Sequence, residues 1–230
     1  VALGPQELNK SRKDYPGEFI ITGIQIVNRK KTHSKEFIEN PIKNQHISAR
    51  CCILGTHEKL MEYPIKHIEN HKGGLLGALS LQLYASDQVF EYITPNFTYC
   101  NDPVVLSRMV KTDYPEQSVV YTSTKNVLKF PGQFYIVPYQ VNMLPEATLS
   151  WLASFDGHKE VFLLGFDDKN QKVIDQMKWV MEAFPDVNYT RVFWDGSRSD
   201  KEDPNCPEAW KWCQNFREMN RQYWISYCDV

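Results

Sequence analysis

One run limits the folds open to this chain more than any other: Glu160 to Asp168, EVFLLGFDD. Val161 to Leu164 is apolar at every position, so an extended chain here would have no face suited to water. Such a strand must be covered on both sides, the normal state of a strand inside a parallel sheet flanked by helices. A glycine, Phe166 and the adjacent carboxylates Asp167 and Asp168 follow. Ligands of open α/β sheets bind outside the carboxyl ends of the strands, so one wall of an active site is expected here. Gly165 would let a backbone or a ligand approach closely.

The rest of the chain fits the same architecture. Residues 1–16 are polar and contain Pro5 and Pro16, an extended arm. Residues 18–27 are β-branched and bounded by Pro-Gly and by charge, a strand. Residues 28–35 read as an exposed turn and 36–48 as a linker. A βα-like unit follows: strand 50–54 (RCCIL), the turn Gly55-Thr56-His57, and a helix over 58–71 that Gly73-Gly74 ends. A small-residue helix is expected over 75–85, then strands at 97–100, 118–121 and 134–137, with a short helix over 104–110 between the first two. Pro145 opens a helix that Gly157 closes. Val173, Met177, Val180, Met181 and Phe184 share one face of a helix over 171–184. Residues 188–194 read as a strand, 195–205 as a charged loop, 207–219 as a Trp-rich helix and 222–228 as a last strand. About six core strands alternate with helices, which predicts an α/β fold: a Rossmann-like three-layer sandwich with a mostly parallel central sheet and an extended N-terminal arm. The arm and its strand take up residues 1–45, the Rossmann-like domain 46–230.

At 230 residues the chain can bury one sizeable core. A net charge of -2 gives no electrostatic case for nucleic acid or an anionic membrane as a partner. No apolar run approaches the roughly 18–20 residues that span a bilayer, and no signal-peptide pattern appears. The chain opens on Val1 rather than Met, which fits a missing or processed N-terminal segment. Six cysteines without a CxxC pair read as reduced core thiols, which favours a cytoplasmic location. His67 and His71 stand four apart, but Glu69 between them matches neither zinc-protease order, so no metal site is assigned. Walker, GxGxxG and GxSxG motifs are absent from the sequence.

The block 147–167, ATLSWLASFDGHKEVFLLGFD, resembles a pattern of sialyltransferase-like Rossmann proteins and the related archaeal hydroxymethylpterin diphosphokinase group. There an alanine-rich helix, a short turn and an apolar strand lead to a hydrophobic-Gly-hydrophobic-Asp ending, matched here by Leu164-Gly165-Phe166-Asp167. Residues 50–55, RCCILG, are similar to the family's first strand and its opening glycine. The family usually continues with a Gly-x-Gly-Pro-Ser-like loop around a nucleotide's phosphates, where this chain has Gly55-Thr56-His57-Glu58-Lys59.

The resemblance implies a transferase that uses a nucleotide or nucleotide-sugar, with or without Mg²⁺ or Mn²⁺. Gly55, Thr56 and Lys59 would hold phosphate through backbone N–H groups and charge. Asp167 would contact a ribose or sugar, and His57 or Asp102 would deprotonate an acceptor hydroxyl. Asp168 either shares that work or caps the helix beginning near Lys169. Asn101, and Thr122-Ser123-Thr124 after a strand, offer further polar groups to a substrate. A different class of function also fits: a non-catalytic assembly protein, with the arm and the aromatics of 210–227 as contact surfaces for a homo-oligomer or larger assembly.

Overall fold

The computed structural model describes residues 7–15, 18–27, 30–38, 50–56, 60, 63, 65, 68, 81–166, 169–193 and 205–228, with only the backbone given for the two stretches between 18 and 38. Its strands are β1 (Glu18–Val27), β2 (Lys30–Ile38), β3 (Arg50–Leu54), β4 (Gln82–Ser86), β5 (Phe97–Tyr99), β6 (Val119–Thr122), β7 (Tyr135–Ile136), β8 (Glu160–Leu164), β9 (Asn188–Phe193) and β10 (Phe216–Asn220). Its helices are α1 (Pro103–Met109), α2 (Tyr114–Gln117), α3 (Thr124–Val127), α4 (Pro145–Asp156), α5 (Gln171–Ala183), α6 (Glu208–Lys211) and α7 (Arg221–Cys228). β1 and β2 form an antiparallel hairpin of their own. The other eight strands make one sheet in the order β10-β9-β8-β3-β4-β5-β6-β7, and every neighbouring pair in it is parallel. This is a Rossmann-like α/β sandwich.

The apolar run behaves as its composition demands. Val161 and Leu163 of β8 join Cys51 and Ile53 of β3 in one core beneath α4 and α5. Phe162 and Leu164 join Cys52 and Leu54 in a second core on the opposite face, with Leu60, Ile65, Ile68 and Trp224 of α7. Strict alternation thus feeds two cores from one strand.

Helix α4 lies at the centre. Pro145 stands at its start, where the missing N–H costs nothing, and Gly157 ends it in the left-handed conformation at φ 101°. Every residue from Glu146 to Asp156 is buried, although the sequence promises only one apolar face. Its serines are satisfied within the helix: Ser150 donates to the Glu146 carbonyl and Ser154 to the Ser150 carbonyl, both at 2.8 Å, while Thr148 donates to the Met143 carbonyl at 3.1 Å. Part of the extra cover comes from the N-terminal segment. Leu8 and Tyr15 enter the same core, and Trp151 Nε1 donates to the Leu8 carbonyl at 2.8 Å. Arg12, 3% exposed, pairs through Nε with Asp156 and donates from Nη2 to Tyr121 Oη at 3.0 Å. The described part of the arm, residues 7–15, is therefore a strap on its own domain.

Four expectations are corrected. The end of the helix expected over 75–85 is instead β4, whose Tyr84 and Ala85 feed opposite cores. The helix expected over 207–219 shrinks to α6, and its end becomes edge strand β10, paired with β9. Residues 222–228 are helical in α7, with Trp224 and Cys228 buried. The turn expected over 28–35 is mostly β2. Each segment follows its place in the packed structure over its local propensity.

Candidate functional site

Because the sheet is parallel, its carboxyl ends form a single edge. From β3 to β7 successive strands step outward in one direction; the chain then returns to β8, on the other side of β3, and steps away through β9 and β10. The strand order reverses between β3 and β8, and the crevice above such a reversal is where open α/β sheets take ligands.

At the foot of that crevice backbone packs against backbone, with Gly55 and Gly165 both buried. Gly55 N–H donates to the Leu164 carbonyl at 2.7 Å, carrying the β3–β8 ladder one residue further. A Cβ on Gly55 would lie 2.4 Å from the Gly165 carbonyl oxygen and 2.9 Å from Phe166 Cδ2. Gly165 itself has φ +71°, a conformation that L side chains rarely adopt. Arg191, fully buried on β9, donates from Nε to the Phe166 carbonyl at 3.0 Å and from Nη1 to Glu218 at 2.8 Å. It holds the chain just as it leaves β8.

Glu146 faces the same place from the first turn of α4, 4% exposed, and accepts a hydrogen bond from the Thr56 hydroxyl. The helix N-terminus favours its negative charge. A carboxylate so placed repels phosphate and suits the paired hydroxyls of a ribose or sugar. Register brings in the next strand: Leu54 pairs with Ala85, so Ser86 lies beside Gly55. Ser86 is 1% exposed, and its hydroxyl has no hydrogen-bond partner among the described residues. Asp87 follows. Burial and then the nearby Asp102 raise its carboxyl above the ordinary range, and it shares a hydrogen bond with the Cys100 thiol. Burial, then Asp87, pushes that thiol up to about 12.

At the ends of β5 and β6 the expected polar residues do meet. Asn101 Oδ1 accepts from Thr122 Oγ1 at 3.2 Å and from Ser123 N–H at 3.1 Å. Asn126 Nδ2 donates to the Asn101 carbonyl and to Thr122 Oγ1, both at 3.0 Å. Thr124 opens α3 and shares a cavity with Asn101 and Ser123. Asp102 caps α1, accepting from Val104 N–H at 2.8 Å. Of the residues singled out from sequence, Gly55, Thr56, Gly165, Asn101, Asp102, Thr122, Ser123 and Thr124 all lie along this edge. His57, Lys59, Asp167 and Asp168 lie outside the described residues, as do His67 and His71.

Glu146, Ser86, Asp87 and Arg191 were not singled out. Glu146 after Pro145 reads as an ordinary first-turn acid, and Ser86-Asp87 was hidden behind the helix expected over 75–85. Among the described residues no cluster of three or more His, Cys, Asp or Glu is placed to hold a metal ion, and no helix is long and apolar enough to cross a membrane. Comparison with protein-family models, with curated proteins and with solved structures finds no match.

Proposed function

We propose that the chain is a transferase that takes a nucleotide-linked sugar in the β3–β8 crevice and passes the sugar to an acceptor hydroxyl. The observation that carries this reading is the reversal of strand order above Gly55 and Gly165, with the buried Glu146 carboxylate turned toward it. Glu146 suits the hydroxyls of a ligand there, and Ser86 gains a partner. The acceptor oxygen forms a bond to the sugar's anomeric carbon, the bond from that carbon to the donor phosphate breaks, and the acceptor proton passes to a carboxylate. Asp87, a carboxylate at the end of β4 whose pKa burial raises, is suited to receive it. His57 and Lys59 belong to this proposal through their place just after the first strand, and Asp167 through the sequence resemblance.

A thermal-shift screen against nucleotides and nucleotide-sugars, with and without Mg²⁺ or Mn²⁺, tests it. A ligand at 100 times its Kd stabilises the folded state by roughly 2.7 kcal/mol. One nucleotide class should raise Tm, and Glu146→Gln should lose that shift while its own Tm without ligand stays near wild type. A flat response across the whole panel would sink the proposal.

A second reading, a non-catalytic assembly protein, draws on the exposed rings of Trp212, Tyr223 and Tyr227, at 77%, 59% and 49%. It predicts a concentration-dependent oligomer that Trp212→Ser dissolves, as mass photometry would record.

A further inference from the structure

Beside the crevice lies a separate cavity of about 290 Å³, walled by the ends of β5, β6 and β7 and by residues 140–142. Its volume lies just below the usual range of small-molecule sites, roughly 300–1,000 Å³, which suits one ring with its substituents and not a whole nucleotide-sugar. One side is aliphatic, from Ile136, Val137 and Val141. The other carries Ser123, Thr124, Gln140 and Asn142, whose side chains make no hydrogen bond to another described residue. Each amide offers donors and acceptors together, and each hydroxyl does the same. That mixture matches vicinal hydroxyl groups, which also donate and accept at one atom. Lys125 is the charged residue among the described lining.

Two observations separate this site from an ordinary surface dent. The floor is fixed: Asn101 Oδ1 is already engaged by Thr122 and Ser123, and Asn126 ties the Asn101 carbonyl to Thr122. On the rim, Tyr139 and Gln140 hold φ of 54° and 53°, left-handed values that ordinary residues adopt only when their surroundings impose them. The Tyr139 ring is held 5.0 Å from the Tyr15 ring of the strap, so the strap supports the wall that presents Gln140. Against a nucleobase stands the absence of an open aromatic face among the described lining residues. Tyr99 is 3% exposed and its hydroxyl is bound by Asn101, while bases bind mainly by stacking.

We infer that this cavity binds a hydroxylated ring of monosaccharide size, the acceptor of the transfer proposed above. The role as acceptor rests on that proposal; the binding of a sugar does not. Chemical-shift mapping and calorimetry on the intact chain, without nucleotide, test it against a neutral hexose, its uronate and a set of nucleosides. Either sugar should saturate the site. Asn142→Ala and Gln140→Gly should weaken that binding at least about tenfold, the latter without harm to the fold because glycine accepts the left-handed backbone. Binding of no sugar, binding of nucleosides alone, or full retention in both variants would overturn the inference. Sugar binding together with a flat nucleotide screen would remove the transferase and leave the sugar site standing.

Discussion

A single methyl group at Gly55 would collide with the backbone of the neighbouring strand end, where no side chain can rotate away. Gly55→Ala is expected to lower unfolding free energy by about 3 kcal/mol, the upper end of overpacking costs, in a urea titration. A much smaller loss would show that the ends of β3 and β8 part easily. Asp87 makes the opposite prediction. Its raised pKa means that the folded protein holds this proton more tightly than the unfolded chain, whose carboxyl titrates near 3.8. Stability from this position is therefore greatest in acid and falls as pH rises through the raised value. Asp87→Asn should raise Tm at neutral pH, leave it unchanged in acid, and remove transfer activity; an unchanged neutral Tm would contradict the assignment of its burial. At this scale the sequence told much about position and less about chemistry. The glycines and hydroxyls at strand ends were readable because parallel strands must end on one edge. That Asp102 spends its carboxylate on a helix cap, while Glu146 turns to the crevice, depends on side-chain directions that spacing does not encode.

The strap tests how elements depend on one another. Arg12→Ala leaves Asp156 in the core with its cation gone, and breaking a buried pair in this way costs about 3–5 kcal/mol. Replacing both, as Arg12→Met with Asp156→Leu, should recover part of that loss, which a double-mutant cycle would measure. Deleting residues 1–15 should cost at least as much as Arg12→Ala, because the burial of Leu8 and Tyr15 goes too. The same dependence explains which elements were legible. β8 and α5 carry their own signatures, continuous apolar character in one and a 3.6-residue stripe in the other. β10, Phe-Arg-Glu-Met-Asn, has almost nothing of a strand in its composition and is one through pairing with β9. α7, Arg-Gln-Tyr-Trp-Ile-Ser-Tyr-Cys, is rich in aromatic residues that suit a strand, yet buries Trp224 and Cys228, four apart, against the second core. QLYAS of β4 has no charge or proline to interrupt a helical reading, and its place between β3 and β5 makes it extended.

For the molecule as a whole, all six cysteines are free and buried, and burial raises every one of their thiols. An unperturbed thiol is about a quarter thiolate at pH 8, so native protein should react slowly with a thiol reagent and release six equivalents on unfolding. Fast labelling of several thiols in the native state would contradict the packing. The same groups set an alkaline limit. Their protons are held more tightly when folded, so the contribution is intact below the ordinary value near 9. It is lost as pH rises through about 11 for Cys228 and about 12 for Cys100 and Cys206. Stability should fall steadily across that alkaline range in pH-resolved denaturation. The strap adds a consequence for biosynthesis. Arg12 and its partner Asp156 are 144 positions apart, and ribosomes add roughly 5–20 residues per second. For roughly 7–29 seconds of synthesis, Arg12 has been made and Asp156 does not yet exist. A chain cut short before α4 therefore leaves Leu8 and Tyr15 without the core they enter in the folded protein.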